Sequence, residues 1–294
     1  MSEHPHSTVR EKTVTVSREK TVTVSRETVK RLVNDIKTII NCPLTEHGIY
    51  YSHDEEDMMK GYALIVGPED TPYFGGFYFF EVNFPTDYPH SPPIVVYKTN
   101  GDNIRFNPNL YVTGKVCISL LNTWRGEQWT SCQTLSTILL NLCTLLTNEP
   151  LLNEPGITSK HPDMNRYNRL IEYKNIDIAM VRMMKTPPGE HFEGFKPFMK
   201  THFIKNHEKV LSFLEKKMIE GKDPELIFVN IYQMNVCIHY EKLMANYLKM
   251  WESIKGDNIK GDNKGDTLRK GTLPLRALKG TVKWTIKGLF LSER

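Results

Sequence analysis

The sequence predicts an α+β fold, on three observations. Between Glu27 and about Asn41, the residues Val29, Leu32, Val33, Ile36, Ile39 and Ile40 recur at helical spacing and mark an amphipathic helix. Three runs of β-branched and aromatic residues follow, Tyr62 to Val66, Gly76 to Phe84 and Ile94 to Lys98, separated by clusters of Gly, Pro, Asn and Asp. That alternation is the mark of short antiparallel strands joined by turns. Finally, Leu135, Ile138, Leu139, Leu142, Leu145 and Leu146 outline a strongly apolar central helix. Ser131 is its expected N-cap, and it is expected to stop at Asn148-Glu149-Pro150, because proline cannot continue a helix.

Beyond this core the elements become helical. A further helix is expected from Leu226 to Trp251, where Val236, Tyr240, Leu243, Met244, Tyr247, Leu248 and Trp251 keep i, i+4, i+7 spacing. It is either a core helix or a surface for a partner. The aromatic run Phe77-Tyr78-Phe79-Phe80 is read as core filling rather than as a platform for stacked bases.

Both ends of the chain are repetitive. Residues 10–17, Arg-Glu-Lys-Thr-Val-Thr-Val-Ser, recur unchanged at 18–25, and Lys-Gly-Asp recurs from Lys255, Lys260 and Lys264. Two units of eight residues are too few for a solenoid, and a density of Gly with Asn or Asp favours turns or disorder. The expected organisation is a flexible extension at 1–26, a core at 27–165, the helical extension at 166–253 and a basic low-complexity tail at 254–294.

Composition narrows the class. With 39% hydrophobic and 24% charged residues the chain is typical of globular proteins. No apolar run approaches the roughly 20 residues of a membrane helix, and Met-Ser-Glu-His-Pro-His-Ser lacks the apolar centre of a secretory signal, so no membrane partner is expected. Five scattered cysteines without a Cys-x-x-Cys pair argue against a disulfide framework and a zinc site, and for a reducing compartment. The expected location is cytoplasmic or nuclear, in a host cell if the duplicated ends betray a viral genome. The net charge of +4 includes ten Lys and Arg against four Asp and Glu over 255–294. Such a tail either attracts nucleic acid or an acidic partner, or is a solvated linker.

The chemistry concentrates between Phe106 and Trp124. An Asn107-Pro108-Asn109 turn stands eight residues before Cys117, counted from Asn109. A thiol nucleophile needs a donor for the oxyanion of its tetrahedral intermediate, and an asparagine amide is one. Cys117 is the candidate nucleophile and Asn109 the candidate donor, or a brace for the loop, or both. The remaining cysteines, Cys42, Cys132, Cys143 and Cys237, are read as buried small hydrophobes. No His-Glu-x-x-His, no phosphate-binding Gly-rich loop and no local protease signature is present, so neither a metal nor a cofactor site is expected.

This segment resembles the active-site segment of ubiquitin-conjugating enzymes, whose hallmark is His-Pro-Asn before the acceptor cysteine. Two further motifs share the resemblance: Gly67-Pro68-Glu69-Asp70-Thr71-Pro72-Tyr73-Phe74-Gly75-Gly76, like the family's turn between strands, and Phe84 to Pro93, like its proline-rich loop. Asn107 stands where most members have histidine. That departure, the lengthened loop Asn122 to Trp129 and the segment Leu151 to Gly156 resemble the large hybrid conjugating enzyme/ligases, including the apoptosis-inhibitor-repeat type. The stretch from Tyr167 to about Lys217, with Pro187-Pro188, Phe192, Phe195 and His202-Phe203, resembles the helical extension those enzymes carry, so the resemblance covers roughly residues 28–220.

What the resemblance implies is acyl transfer without hydrolysis. Cys117 accepts ubiquitin as a thioester from an activating enzyme and passes it to substrate lysines, with ligase-like selection of substrates in the hybrid branch. ATP is spent by the activating enzyme, so no cofactor is implied here. Glu154 occupies a place where the family carries an acidic residue near the thioester; as a residue it is equally well a solvated loop glutamate. Asn107 and Pro108 support the loop, since an amide cannot titrate as histidine does. Pro89, His90, Trp129 and Thr130 lie where the family docks activating enzymes and ligases, and His90 replaces a bulky apolar residue used against common ligase domains. The rival expectation is an uncharged scaffold of the same fold that binds ubiquitin or a ligase.

Overall fold

A computed structural model describes residues 24–261 apart from Lys222. Most of the octapeptide repeat, and the tail beyond Gly261 with its Lys-Gly-Asp copies, lie outside the described residues. Helix α1 spans Arg26–Asn41, and the Ser25 hydroxyl accepts from the Thr28 N–H to cap it. A four-stranded antiparallel meander follows in the order β1-β2-β3-β4, with β1 at Ile49–His53, β2 at Lys60–Val66, β3 at Phe77–Asn83 and β4 at Ile94–Tyr97. Helix α2 spans Leu135–Thr144 and α3 spans Met164–Lys174. Helix α3 passes through a π-helical stretch, Asn175–Arg182, into the short α4 at Met183–Lys185. Helix α5, Lys196–Glu220, leads to a hairpin of β5, Glu225–Val229, and β6, Met234–Ile238, and to α6, Tyr240–Gly261. The α+β class with a helical extension is therefore what the chain adopts.

Three of the strands fall where the β-branched runs predicted them. The strand β1 was not predicted. It pairs Ile49 with Ile65 and Tyr51 with Ala63, and Gly48, at φ +69°, makes the left-handed turn that starts it.

The sheet is covered on both sides, which is why its sequence reads as continuous apolar runs instead of alternating ones. Phe77, Tyr78, Phe79 and Phe80 are all fully buried, as core residues should be. One face carries Tyr50, Tyr62 and Phe79. The Tyr62 ring meets Phe192 edge-on at 5.2 Å, Phe79 meets Phe192 at 5.1 Å, and Tyr50 stacks on Phe198 at 4.5 Å. On the opposite face Ala63, Ile65, Phe80 and Val82 are equally buried. The extension thus closes one side of the sheet that carries the site. Among the described residues no helix is long and apolar enough to cross a membrane.

Gly76 shows how tight the junction with the extension is. A Cβ there would sit 1.9 Å from the Asn175 Oδ1, which accepts a 2.7 Å bond from the Tyr78 hydroxyl. The Asn175 amide also donates to the Phe74 carbonyl at 2.9 Å. Gly76→Ala must therefore break a buried hydrogen-bonded junction, and a loss of about 2–3 kcal/mol is expected, read as a lower midpoint in urea unfolding.

Several expected boundaries move. Helix α2 is capped by Thr134 and not Ser131: the Thr134 hydroxyl accepts from Thr137 N in a reciprocal capping box, and Ser131 is exposed outside the helix. The same helix ends at Thr144. Leu146 still enters the core at 2% exposure, so its apolar character falsely prolonged the helical pattern.

The helix expected from Leu226 to Trp251 is two different structures. Ile227 and Val229 on β5 face inward opposite Val236 and Met234 on β6, while Leu226 and Phe228 point outward. The outward apolar residues hid the two-residue period of the strands. The α6 helix begins only at Tyr240, where the Asp223 carboxylate accepts from the Tyr240 and Glu241 N–H groups at 3.0 and 2.9 Å. It then runs through the Lys255-Gly256-Asp257-Asn258 segment expected to be turn or disordered, past the boundary expected at residue 254.

Burial has consequences for acid stability. The His53 Nε2 donates to the Met58 carbonyl, leaving Nδ1 to accept from the Tyr51 hydroxyl at 2.7 Å. His202 pairs with the Tyr50 hydroxyl at 2.7 Å, and His207 stacks on Trp251 at 3.6 Å. Burial depresses the pKa of all three below the ordinary histidine value of 6.5. The unfolded chain therefore binds more protons at mildly acidic pH. The stability is complete above the unfolded value and is lost as the pH falls from there through the depressed folded values. A drop of the melting temperature by several degrees is expected between pH 7.5 and pH 5.5, measured by differential scanning calorimetry in matched ionic strength.

Candidate active site

The loop before Cys117 folds back on itself as a small hairpin. Tyr111 N–H donates to the Lys115 carbonyl at 2.9 Å, Leu110 bridges to Val116, and Gly114 makes the bend at φ +90°. Its two ends then meet: Cys117 N–H donates to the Asn109 carbonyl at 2.9 Å, and Asn109 Nδ2 donates to the Cys117 carbonyl at 2.6 Å. The eight-residue spacing is the contour length of this hairpin. Asn109 Oδ1 is buried with no hydrogen-bond partner among the described residues, an orphan acceptor at the mouth of the loop.

Asn107 holds the turn from behind. Its Nδ2 donates to the Leu145 carbonyl at 2.8 Å and to the Tyr73 hydroxyl at 3.0 Å, and its Oδ1 accepts from Asn109 N–H at 2.9 Å. The Leu145 carbonyl is free for this because α2 ends one residue earlier. Tyr73 completes the circuit by donating to the Phe106 carbonyl at 2.7 Å. Asn107 is fully buried and uses its carbonyl and its amide on different partners, a bonding pattern that an imidazole would have to make with two ring nitrogens. Pro108 is buried as well, and its carbonyl accepts from Arg105 Nη2 at 2.5 Å.

Cys117 is only 2% exposed. Its neighbours Val116 and Ile118 join the apolar core, whereas Cys117 lies outside that cluster of the described residues. Behind it, the Thr123 hydroxyl accepts from Ile118 N–H at 3.0 Å and lies 2.9 Å from the Val116 carbonyl, fixing the backbone on both sides of the cysteine. Three of the other thiols reverse the expectation made for them: Cys42, Cys132 and Cys237 are exposed, whereas Cys143 is partly buried and packs against the core as expected of a residue in the apolar helix. Burial raises the Cys143 pKa.

Glu154 ends the turn Pro150–Asn153 and is half-buried. This turn is tied to the same loop: Asn153 Nδ2 donates to the Leu145 carbonyl at 3.1 Å and reaches Asn107 Oδ1 at 3.4 Å. Of the expected docking residues, His90 and Thr130 are exposed, whereas Pro89 and Trp129 are buried against each other through a 2.7 Å bond from Trp129 Nε1 to the Pro89 carbonyl. The latter two shape the surface without presenting side chains to it. Arg31 of α1 donates to the Ser131 carbonyl at 2.5 Å and to the Gln133 carbonyl, and His90 lies 3.9 Å from Glu27. Helix α1 and both loops therefore form one stitched surface.

A profile described as ubiquitin-conjugating enzyme matches residues 31–178, half of the chain. The chain belongs to the ubiquitin-conjugating enzyme family. Among its relatives, human ubiquitin-conjugating enzyme E2 Z is 43% identical over 169 residues, covering 56% of this chain and 47% of the relative. The probable ubiquitin-conjugating enzyme protein 17 of Caenorhabditis elegans is 38% identical over 197 residues, 62% of this chain and 26% of that protein. The human dual E2 ubiquitin-conjugating enzyme/E3 ubiquitin-protein ligase BIRC6 is 37% identical over 204 residues, 64% of this chain but 4% of that protein. The aligned region thus spans about half the length of the E2 Z relatives or less.

Sequence reasoning found the family's loop and missed what surrounds it. Tyr73, Arg105, Thr123, Leu145 and Asn153 all bond to the Asn107–Cys117 segment or its flanks. Tyr73 lay in a motif already singled out, but nothing in its neighbourhood indicated that its hydroxyl would meet Asn107.

Proposed function

We propose that this chain is a ubiquitin-conjugating enzyme working through Cys117, of the branch in which Asn-Pro-Asn replaces His-Pro-Asn. The observation that carries the reading is the reciprocal closure of Asn109 on Cys117, which sets an amide beside the only thiol in the family's motif. The Cys117 thiolate attacks the carbonyl of ubiquitin's C-terminal glycine in its thioester with the activating enzyme, and that enzyme's cysteine leaves as thiolate. A substrate lysine amine then attacks the Cys117 thioester, loses its proton, and expels the Cys117 thiolate. Asn109 Nδ2 carries two hydrogens, one of them committed to the Cys117 carbonyl; the second serves the oxyanion. Glu154 serves the incoming amine, which is protonated at neutral pH and attacks only as the free base.

The core at 27–165 and the extension at 166–253 act as one unit in this reading, with activating enzyme and any ligase meeting α1, His90 and Thr130. Ligase-like selection of substrates is assigned to the extension, supported by the alignment with BIRC6 that runs over 204 residues. The uncharged-scaffold reading rests on one observation, the 2% exposure of Cys117. A charging assay separates the two: the chain, activating enzyme, ATP and ubiquitin, run on non-reducing gels. A thiol-labile band one ubiquitin heavier is expected; its absence with folded protein across several ubiquitin-like modifiers supports the scaffold.

A further inference from the structure

The hairpin β5–β6 delivers a side chain to Glu154. Its turn, Asn230–Tyr232, places the Tyr232 hydroxyl 2.6 Å from Glu154 Oε2, with the hydroxyl donating. The two residues are 78 apart in sequence, and the turn that brings them together is held at Asp163 and at Arg105. Asp163, at 1% exposure, accepts from Ile231 N–H at 3.0 Å and from Asn230 Nδ2 at 3.2 Å, clamping the turn. The Met234 sulfur accepts from Arg105 N–H at 3.2 Å. The Arg105 guanidinium lies 5.1 Å from the Tyr232 ring and 3.4 Å from the Tyr111 ring, while donating to the Asn107 and Pro108 carbonyls. Through Arg105 one contact network joins the extension, Glu154 and the catalytic loop.

We infer that Tyr232 is a positioning residue for lysine transfer, holding one oxygen of Glu154 so that the other faces the incoming amine. This rests on the proposed conjugating activity. A loop glutamate without such a partner samples several rotamers; a donor fixed at 2.6 Å selects one. The geometry leaves Glu154 Oε1 without a hydrogen bond among the described residues, so the carboxylate keeps one oxygen for work. Burial, and then the Glu154 carboxylate itself, raise the Tyr232 pKa above the ordinary tyrosine value, so the donor stays protonated wherever lysine can react.

Tyr232→Phe tests this while keeping the ring on Arg105. Charging of Cys117 by the activating enzyme is expected to match wild type, as is the melting temperature to within a few degrees. Discharge of the isolated thioester to free lysine is expected to slow about tenfold at pH 7, less than the roughly hundredfold or more that a positioned acid–base group itself contributes, because Tyr232 acts only through Glu154. The difference should shrink as the pH approaches the lysine pKa of about 10.4, because free amine then forms without help; a structural defect would lower the rate equally at every pH. Glu154→Gln should slow discharge alike, and Glu154→Gln with Tyr232→Phe should be no slower than Glu154→Gln alone. Wild-type discharge by Tyr232→Phe or by Glu154→Gln, additive losses in the double variant, or a pH-independent deficit overturns the proposal. Failure of the wild-type chain to charge at all overturns instead the conjugating activity beneath it.

Discussion

Cys117→Ala is expected to abolish the ubiquitin adduct entirely, and Cys117→Ser to replace a thiol-labile adduct with one that survives reducing agent. No rescue by another thiol is expected, although Cys42, Cys132 and Cys237 are all better exposed. Exposure alone does not make an acceptor: none of those three is bonded to an asparagine across a closed loop, whereas Cys117 is held by Asn109 through both backbone groups. Because those bonds use the Cys117 N–H and carbonyl and not the sulfur, both substitutions leave the hairpin intact, and near-native melting temperatures should accompany the loss. The serine variant forms an oxygen ester, whose alkoxide is a poorer leaving group than a thiolate, so transfer to lysine stalls and the ester accumulates. An adduct of undiminished intensity on Cys117→Ala, lost instead on Cys132→Ala or Cys237→Ala, would move the acceptor elsewhere.

Asn109→Ala is expected to slow discharge of the Cys117 thioester to lysine by about a hundredfold or more, the cost of about 2.7 kcal/mol seen when one oxyanion donor is removed from other acyl-transfer sites. The same amide donates to the Cys117 carbonyl at 2.6 Å, so a loss of stability of roughly 1 kcal/mol should accompany it. The two effects separate by measuring single-turnover discharge per charged molecule, which does not depend on how much enzyme charges. Asn109→Asp sharpens the contrast: the side chain keeps its size, loses both amide hydrogens, and places negative charge where the oxyanion develops. It should transfer no faster than Asn109→Ala. If both variants lose stability yet discharge at the wild-type rate, Asn109 is a brace for the loop and the oxyanion is stabilised by another group.

How much of this was legible depended on sequence distance. The Asn107-Pro108-Asn109 turn and Cys117 belong to one short hairpin whose two ends close on each other, so the spacing of residues already contained the geometry. The three predicted strands and α1 were likewise visible, the strands as apolar runs bounded by turn residues and the helix by its own period. Misreadings arose where a residue's burial was decided by a neighbouring element. Leu146 enters the core beyond the end of α2, Phe228 and Leu226 are apolar on the outer face of β5, and Tyr50 and Tyr51, on opposite faces of β1, are both half-buried, so that strand shows no two-residue period.

The α+β class, the family and the candidacy of Cys117 and Asn109 were readable in the sequence alone, because they rest on local spacing and on patterns within single elements. Only the tertiary structure decided that the Leu145 carbonyl, released by the early end of α2, anchors Asn107, and that Arg105 ties the Asn107–Cys117 loop to β6 through Met234. It alone decided that the extension covers a face of the sheet and brings Tyr232 to Glu154. Side-chain burial along one element is a one-dimensional pattern that a sequence can carry. Hydrogen bonds between residues 38 and 78 apart exist only once packing has fixed both backbones, and no local pattern encodes them.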